Sequence, residues 1–232
     1  MRIKLILAAA TFAVFAMASY AKDQAPETWD GLVQVKGKSF DAAYLAPGAD
    51  FRPYTKVMVD PTEVAFHKDW MKNMNDRRDI SRMVDDKQAQ EILQAARSNF
   101  DDIFNEQFTK AGYTVVKTPG PDVLRVRTGV INLYLNAPDV MTAGRSKSFT
   151  ANAGEATLVL EVRDSMSGAL LGRVLDRRET RDSVGMQQST SVTNLSDFRA
   201  LFKSWAGIAT KGLARLKEIS PIPAALTPGQ KL

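Results

Sequence analysis

Apolar residues recur at three- and four-residue spacing over 85–111, where Ala89, Ile92, Leu93, Ala96, Phe100, Ile103, Phe104 and Phe108 fall on one stripe. That period predicts an amphipathic helix with a buried face. Asp85 and Asp86 suit the positive end of its dipole, and Gly112 suits a left-handed stop. A second stripe over 196–219 carries Phe198, Leu201, Phe202, Trp205, Ile208, Ala209, Leu213 and Leu216. Ser196 or Asp197 is placed to cap it, and Ser220-Pro221 ends it.

The remaining pattern has a period of two. Ala156, Leu158, Leu160 and Val162 alternate with Thr157, Val159, Glu161 and Arg163; a turn through Gly168 then sends the chain back over 169–179. This is a hairpin. A long strand over 123–135 is apolar on both faces near its end, which suits a central position. Short strands are expected at 56–59, ending at Asp60-Pro61, and at 113–117, before the Pro/Gly turn at 118–122. Residues 29–54 show no strong period and read as an extended segment wrapping the domain. Residues 67–83 read as a loop or irregular helix whose Trp70, Met71 and Met74 cover the core; the sharper alternative is a basic segment that touches a membrane or partner. Residues 137–154 and 181–194 are long polar connections.

These elements predict one α+β domain: a mixed, twisted sheet of about five strands with two long amphipathic helices packed on one face. The expected division is a signal peptide at 1–21, a leader and wrapping segment at 22–54, the sandwich at 55–219 and a flexible tail at 220–232. The signal peptide rests on Arg2 and Lys4, the uncharged run 5–18, and small residues at Ser19 and Ala21, with cleavage between Ala21 and Lys22. The run is short for a membrane span, which needs about 20 apolar residues. The expectation is therefore an exported periplasmic or envelope protein with no integral membrane span after cleavage.

Composition narrows the chemistry. Among 232 residues there is no cysteine and one histidine, His67. Disulfides, zinc–thiolate sites, iron–sulfur clusters and a cysteine nucleophile are excluded, as is a histidine-rich metal site. Without a cysteine after the apolar run, the mature chain cannot be lipidated there. The 31 basic and 26 acidic residues give a net charge of +5, which falls to +3 once Arg2 and Lys4 leave with the signal. That field is too weak to point to nucleic acid.

Four stretches resemble a bacterial family. Tyr44-Leu-Ala-Pro-Gly-Ala-Asp-Phe51, Tyr54-Thr-Lys-Val-Met-Val-Asp-Pro61, Thr118-Pro-Gly-Pro-Asp-Val-Leu-Arg-Val-Arg127 and the hairpin through Asp176-Arg-Arg178 are similar, in order and spacing, to the family called domain of unknown function 3313. The resemblance covers about residues 29–218. It implies an envelope protein, and many members are lipoproteins; this chain departs by lacking the lipobox cysteine. The resemblance brings no catalytic residues. The hairpin at 160–168 also looks like one in the curli secretion channel subunit and in penicillin-binding-protein activators, a likeness of architecture that says little of function.

Catalytic patterns are thin. His67 sits in an irregular segment with no Gly-x-Ser-x-Gly nearby, so it reads as a packing or exposed histidine. Asp60, Asp176 and Glu179 are conceivable hydrolytic acids, though nothing in the sequence singles them out. Neither a nucleotide-binding glycine motif nor an acid-rich calcium loop occurs, and no cofactor is expected. Two functions stay open. One is a non-enzymatic envelope protein binding a protein or peptidoglycan; the other is a periplasmic hydrolase using carboxylates or a Ser/Lys pair. For the first, the candidate partner surface is Arg177, Arg178 and Arg181, with Arg145 and Lys147 from the preceding connection. Alternation puts Arg177 and Arg178 on opposite faces, so only part of the cluster can serve one ligand.

Overall fold

The computed structural model describes residues 25–76, 83–135, 148–150, 154–180, 187–189 and 191–232, with the backbone alone for 148–150, 187–189 and 191–197. Its elements run β1 (Thr28–Trp29), β2 (Leu32–Lys36), β3 (Ala42–Leu45), β4 (Lys56–Val59), β5 (Glu63–Phe66), α1 (Trp70–Asn75), α2 (Asp86–Lys110), β6 (Thr114–Val115) and β7 (Val123–Leu135). They continue with β8 (Ser148–Thr150), β9 (Gly154–Asp164), β10 (Leu170–Glu179), β11 (Gln187–Ser189), α3 (Ser191–Ile219) and β12 (Gln230–Lys231).

The α+β class stands, but the expected sheet of about five strands does not. Among the described residues the main sheet has ten strands, in the order β1-β2-β3-β10-β9-β7-β4-β6, with β12 beside β2 and β5 beside β7; β8 and β11 form a separate pair. Among the described residues the short helix α1 adds to the two long ones. Three of the additional strands lie in the supposed wrapping segment. Asp30 and Gly31, both at positive φ (53° and 79°), make a two-residue turn that pairs Trp29 with Leu32. That left-handed geometry matches the twist of the two strands it joins, and Asp-Gly adopts it readily. β3 then continues the sheet onto β10, pairing Tyr44 with Arg173.

The chain end is also different from the flexible tail expected at 220–232. Ile222 and Leu226 are buried, and β12 pairs in parallel with β2. The 67–83 segment contains the short helix α1, with Trp70 and Met74 buried. Trp70 stacks on Phe66 and donates its indole N–H to Leu135 O at 2.9 Å. Aromatic and methionine residues cover the core there.

The two long helices follow their stripes. Asp85 is the N-cap of α2: it accepts from Gln88 N at 2.7 Å while Gln88 Oε1 accepts from Asp85 N at 3.1 Å, a reciprocal capping box. α3 begins at Ser191, so Ser196 and Asp197 lie inside it and neither is its cap. Its polar first turn precedes the apolar stripe, and periodicity alone could not reveal it. Phe100, Phe104 and Phe108 of α2 and Phe198, Phe202 and Trp205 of α3 enter one core with Leu124, Val126, Val130, Leu158 and Leu160 of the sheet. Phe100 meets Phe202 edge-on at 5.1 Å, locking the helices together over the inner face.

Central to the sheet is β7, antiparallel to β9 on one side and parallel to β4 and β5 on the other. With Leu124 and Val126 turned inward, alternation sends Arg125 and Arg127 to the opposite, outer face.

Candidate functional site

On the outer face, cross-strand register aligns a polar row. Gln34 pairs with Tyr44, Tyr44 with Arg173, Arg173 with Glu161, and Glu161 with Arg127. Paired residues share a face, so five strands bring these side chains side by side. Arg163 and Arg125, also directly opposite one another, extend the row by one position. Like charges in that position repel, and each arginine is offset by an acid.

Glu161 is the centre of the arrangement. It is only 3% exposed, with the guanidinium groups of Arg173 and Arg163 bonded to it. Its Oε1 accepts from Arg173 Nε at 2.9 Å and Nη2 at 2.6 Å, and its Oε2 accepts from Arg163 Nε at 3.0 Å and Nη2 at 2.9 Å. A buried carboxylate held by two guanidinium groups is satisfied in both charge and hydrogen bonding.

Arg173 is itself 7% exposed. The Trp29 ring stacks on it, 3.9 Å from the guanidinium carbon, and Tyr44 meets Trp29 edge-on at 5.8 Å. Its Nη2 also lies 2.8 Å from Oδ2 of Asp30, the first residue of the β1–β2 turn. Its Nη1 is buried and makes no hydrogen bond among the described residues. Around Trp29 and Tyr44, a second small apolar cluster holds Leu32, Ala42, Leu170 and Leu175. Farther along the row, Asp60 accepts from Arg125 Nε with both oxygens at 3.0 and 2.9 Å and lies 3.6 Å from Arg127 Nε.

The residues singled out in the sequence are separated by the sheet. Arg177 pairs with Thr157 on the outer face, and its Nη2 reaches Glu155 Oε2. That contact raises its already high pKa, chiefly through the hydrogen bond to Glu155. Arg178 points to the helix side, where its Nη1 donates to Ser204 Oγ at 3.1 Å and its Nη2 to Ser39 O at 3.1 Å. Arg178 is thus engaged in holding β10 to α3. Arg145, Lys147, Arg181, Ala21 and Lys22 lie outside the described residues.

Nor do the three conceivable acids converge. Asp60 is on the outer face with its arginines, whereas Asp176 is buried inward beneath Trp205. Glu179 pairs with Glu155 at the far end of β10. His67 Nδ1 accepts from Asp69 N at 3.3 Å, and its ring meets Tyr134 edge-on. Among the described residues, no group of three or more His, Cys, Asp or Glu side chains could hold a metal ion.

Arg173, Glu161, Trp29 and Asp30 were not anticipated. Glu161 and Arg173 each occupy the polar phase of an alternating strand, which reads as solvent-facing until the register sets them opposite one another. Asp30-Gly31 did carry a signal, since that dipeptide beside apolar residues marks a tight hairpin.

No described helix is long and apolar enough to cross a membrane. No curated protein matches the chain. Among solved structures, a Xanthomonas campestris protein of the DUF330 family is 10% identical over 74% of this chain and 88% of its own, with a TM-score of 0.41. The PelC dodecamer protein of Paraburkholderia phytofirmans is 11% identical over 71% of this chain and 96% of its own, with a TM-score of 0.36. A minor lipoprotein of Acinetobacter baumannii is 10% identical over 70% and 94%, with a TM-score of 0.34. Residues 21–208, which include every motif quoted above, match the family described as "Protein of unknown function (DUF3313)", and the chain belongs to that family.

Proposed function

We propose that this protein is an exported component of the cell envelope that acts by binding a protein or cell-wall partner rather than by catalysis. The observation that carries the reading is the outer face of the sheet. Arg125, Arg163, Arg173 and Arg177 lie on one face, each oriented by a carboxylate: Asp60, Glu161, Glu161 again, and Glu155. Guanidinium groups fixed in this way present planar donors without losing much further freedom on binding. Such a surface favours electrostatic recognition over a buried reaction centre. Export is supported by Arg2, Lys4, the apolar run 5–18 and the small residues before Lys22.

Within this reading, Arg177 belongs to the partner surface and Arg178 does not. Arg177 keeps 64% of its side chain exposed despite its ion pair. The test has two parts. Mass spectrometry of the envelope fraction should find an N-terminus at Lys22, and a protein still beginning at Met1 overturns export. Cross-linked capture from envelope extract should then be repeated with an Arg125→Glu/Arg177→Glu variant. Loss of the captured partner is expected; an unchanged partner and recovery overturns the outer face as the binding surface.

A further inference from the structure

We infer that Arg173 is a carboxylate-binding position, occupied from within the chain by Asp30 until a partner's carboxylate takes its place. The inference deepens the binding function proposed above, and rests on it, by naming the chemistry recognised. Arg173 uses Nε and Nη2 on Glu161, which leaves the edge between Nη1 and Nη2 for another acceptor. That edge offers two parallel N–H groups at the spacing of the two oxygens of a carboxylate. Asp30 meets only half of it: Oδ2 pairs with Nη2, and Nη1 is left buried without a bond. A carboxylate aligned along the edge would satisfy both nitrogens.

Asp30 is suited to giving way. Its side chain is 59% exposed at the tip of a two-residue turn, so water can solvate the carboxylate once it leaves Arg173. When it turns aside, Arg163 and Arg173 against Glu161 leave one positive charge, which a single carboxylate neutralises. The surroundings define the rest of the ligand. Trp29 stacks on the guanidinium, and the apolar cluster of Leu32, Leu170 and Leu175 adjoins it. A carboxylate on a short apolar stem fits this setting, as at the last residue of a peptide chain.

Trp29 provides the readout, because the other two tryptophans, Trp70 and Trp205, are fully buried. The purified protein is titrated with N-acetyl-leucine, N-acetyl-leucinamide and inorganic phosphate while tryptophan emission is followed. A saturable change with N-acetyl-leucine alone is expected, and it should vanish in Trp29→Phe and Arg173→Lys. Asp30→Asn, in an exposed turn that asparagine tolerates, should bind about fivefold more tightly because the internal competitor is weakened. That variant keeps the test valid even where Arg173→Lys fails to fold. Equal responses to the amide or to phosphate, no saturable response in Asp30→Asn, or an affinity unchanged by that substitution would each overturn the site. Export and partner capture are read by other measurements, so a failure here leaves them standing.

Discussion

The indole N–H of Trp205 donates to Asp176 Oδ2 at 2.7 Å, joining the middle of α3 to the inner face of β10. The same carboxylate accepts from the Asp41 backbone N–H at 3.2 Å and from Arg178 Nε. One buried acid thereby ties together the last helix, a central strand and the loop before β3. Its partners come from segments far apart in sequence, so it forms only when the sheet and helix layers are both in place.

Trp205→Phe should keep most of the packing and lose the bond, costing about 1–3 kcal/mol, while Trp205→Ala should cost about 3–5 kcal/mol. Phe104→Ala, at another fully buried ring, should fall in the same 3–5 kcal/mol range. Urea unfolding midpoints measure all three. A Trp205→Phe midpoint as low as that of Trp205→Ala would show that the hydrogen bond, not the ring, dominates.

Glu161 and Glu155 both sit on the outer face of β9, and their substitution should have very different effects. Glu161→Ala leaves Arg173 buried beside Arg163 with no carboxylate between them, which should cost about 3–5 kcal/mol. Glu155→Ala removes an exposed pair with Arg177 and should cost about 0–1 kcal/mol. Comparable losses for the two would mean that the arginine layer is not held by Glu161.

Gly154 has φ of 144°, and a Cβ built there would lie 1.7 Å from the Tyr134 carbonyl oxygen. The position pairs with Leu135 at the end of β7 and accepts from Thr180 N at 2.8 Å. Gly154→Ala must push β9 away from β7, so a loss of about 3 kcal/mol or more is expected by thermal unfolding. The milder comparison is Gly168→Asn, at φ of 73° in an open turn, which should cost far less than Gly154→Ala.

Asp164 supplies a pH dependence. Its carboxylate accepts from the backbone N–H and hydroxyl of Ser167, from Met166 N and from the Tyr54 hydroxyl. These bonds, the Ser167 N–H foremost, hold its pKa below the ordinary carboxylate value. Tyr54 is pushed the other way by burial and by Asp164, so it stays a neutral donor. With the folded pKa depressed, the unfolded chain binds more protons at low pH. The stabilisation is therefore complete above about pH 4 and is lost as pH falls through the folded value. Asp164→Asn should show a shallower fall of melting temperature below about pH 4 than the parent; parallel curves would remove Asp164 from the account.

How far the chain could be read depended on whether the signal was local. The stripe from Ala89 to Phe108 and the alternation of β9 and β10 carry their own period, and both elements formed where that period placed them. β3 offers only Ala-Ala-Tyr-Leu, and β12 is two residues long, so each is a strand only because a neighbour is already present. The charged row was illegible for a related reason. Alternation says that Glu161 and Arg173 face away from the core, but only the register of β9 against β10 says that they face each other. The Asp30-Gly31 turn was legible, and reading it would have placed Trp29 on an ordered hairpin.

The pairing of β12 with β2 has a consequence for the order in which the chain matures. Leu32 and Val33 of β2 are flanked by β1, whereas Val35 and Lys36 are flanked by Gln230 and Lys231. During synthesis, β2 therefore has half of its outer flank open until Gln230 and Lys231 have emerged. An open flank of backbone donors and acceptors is a template for a strand from another molecule. Gln230 and Lys231 close that template, so a chain cut before Thr227 would expose a self-association edge while keeping the main core intact.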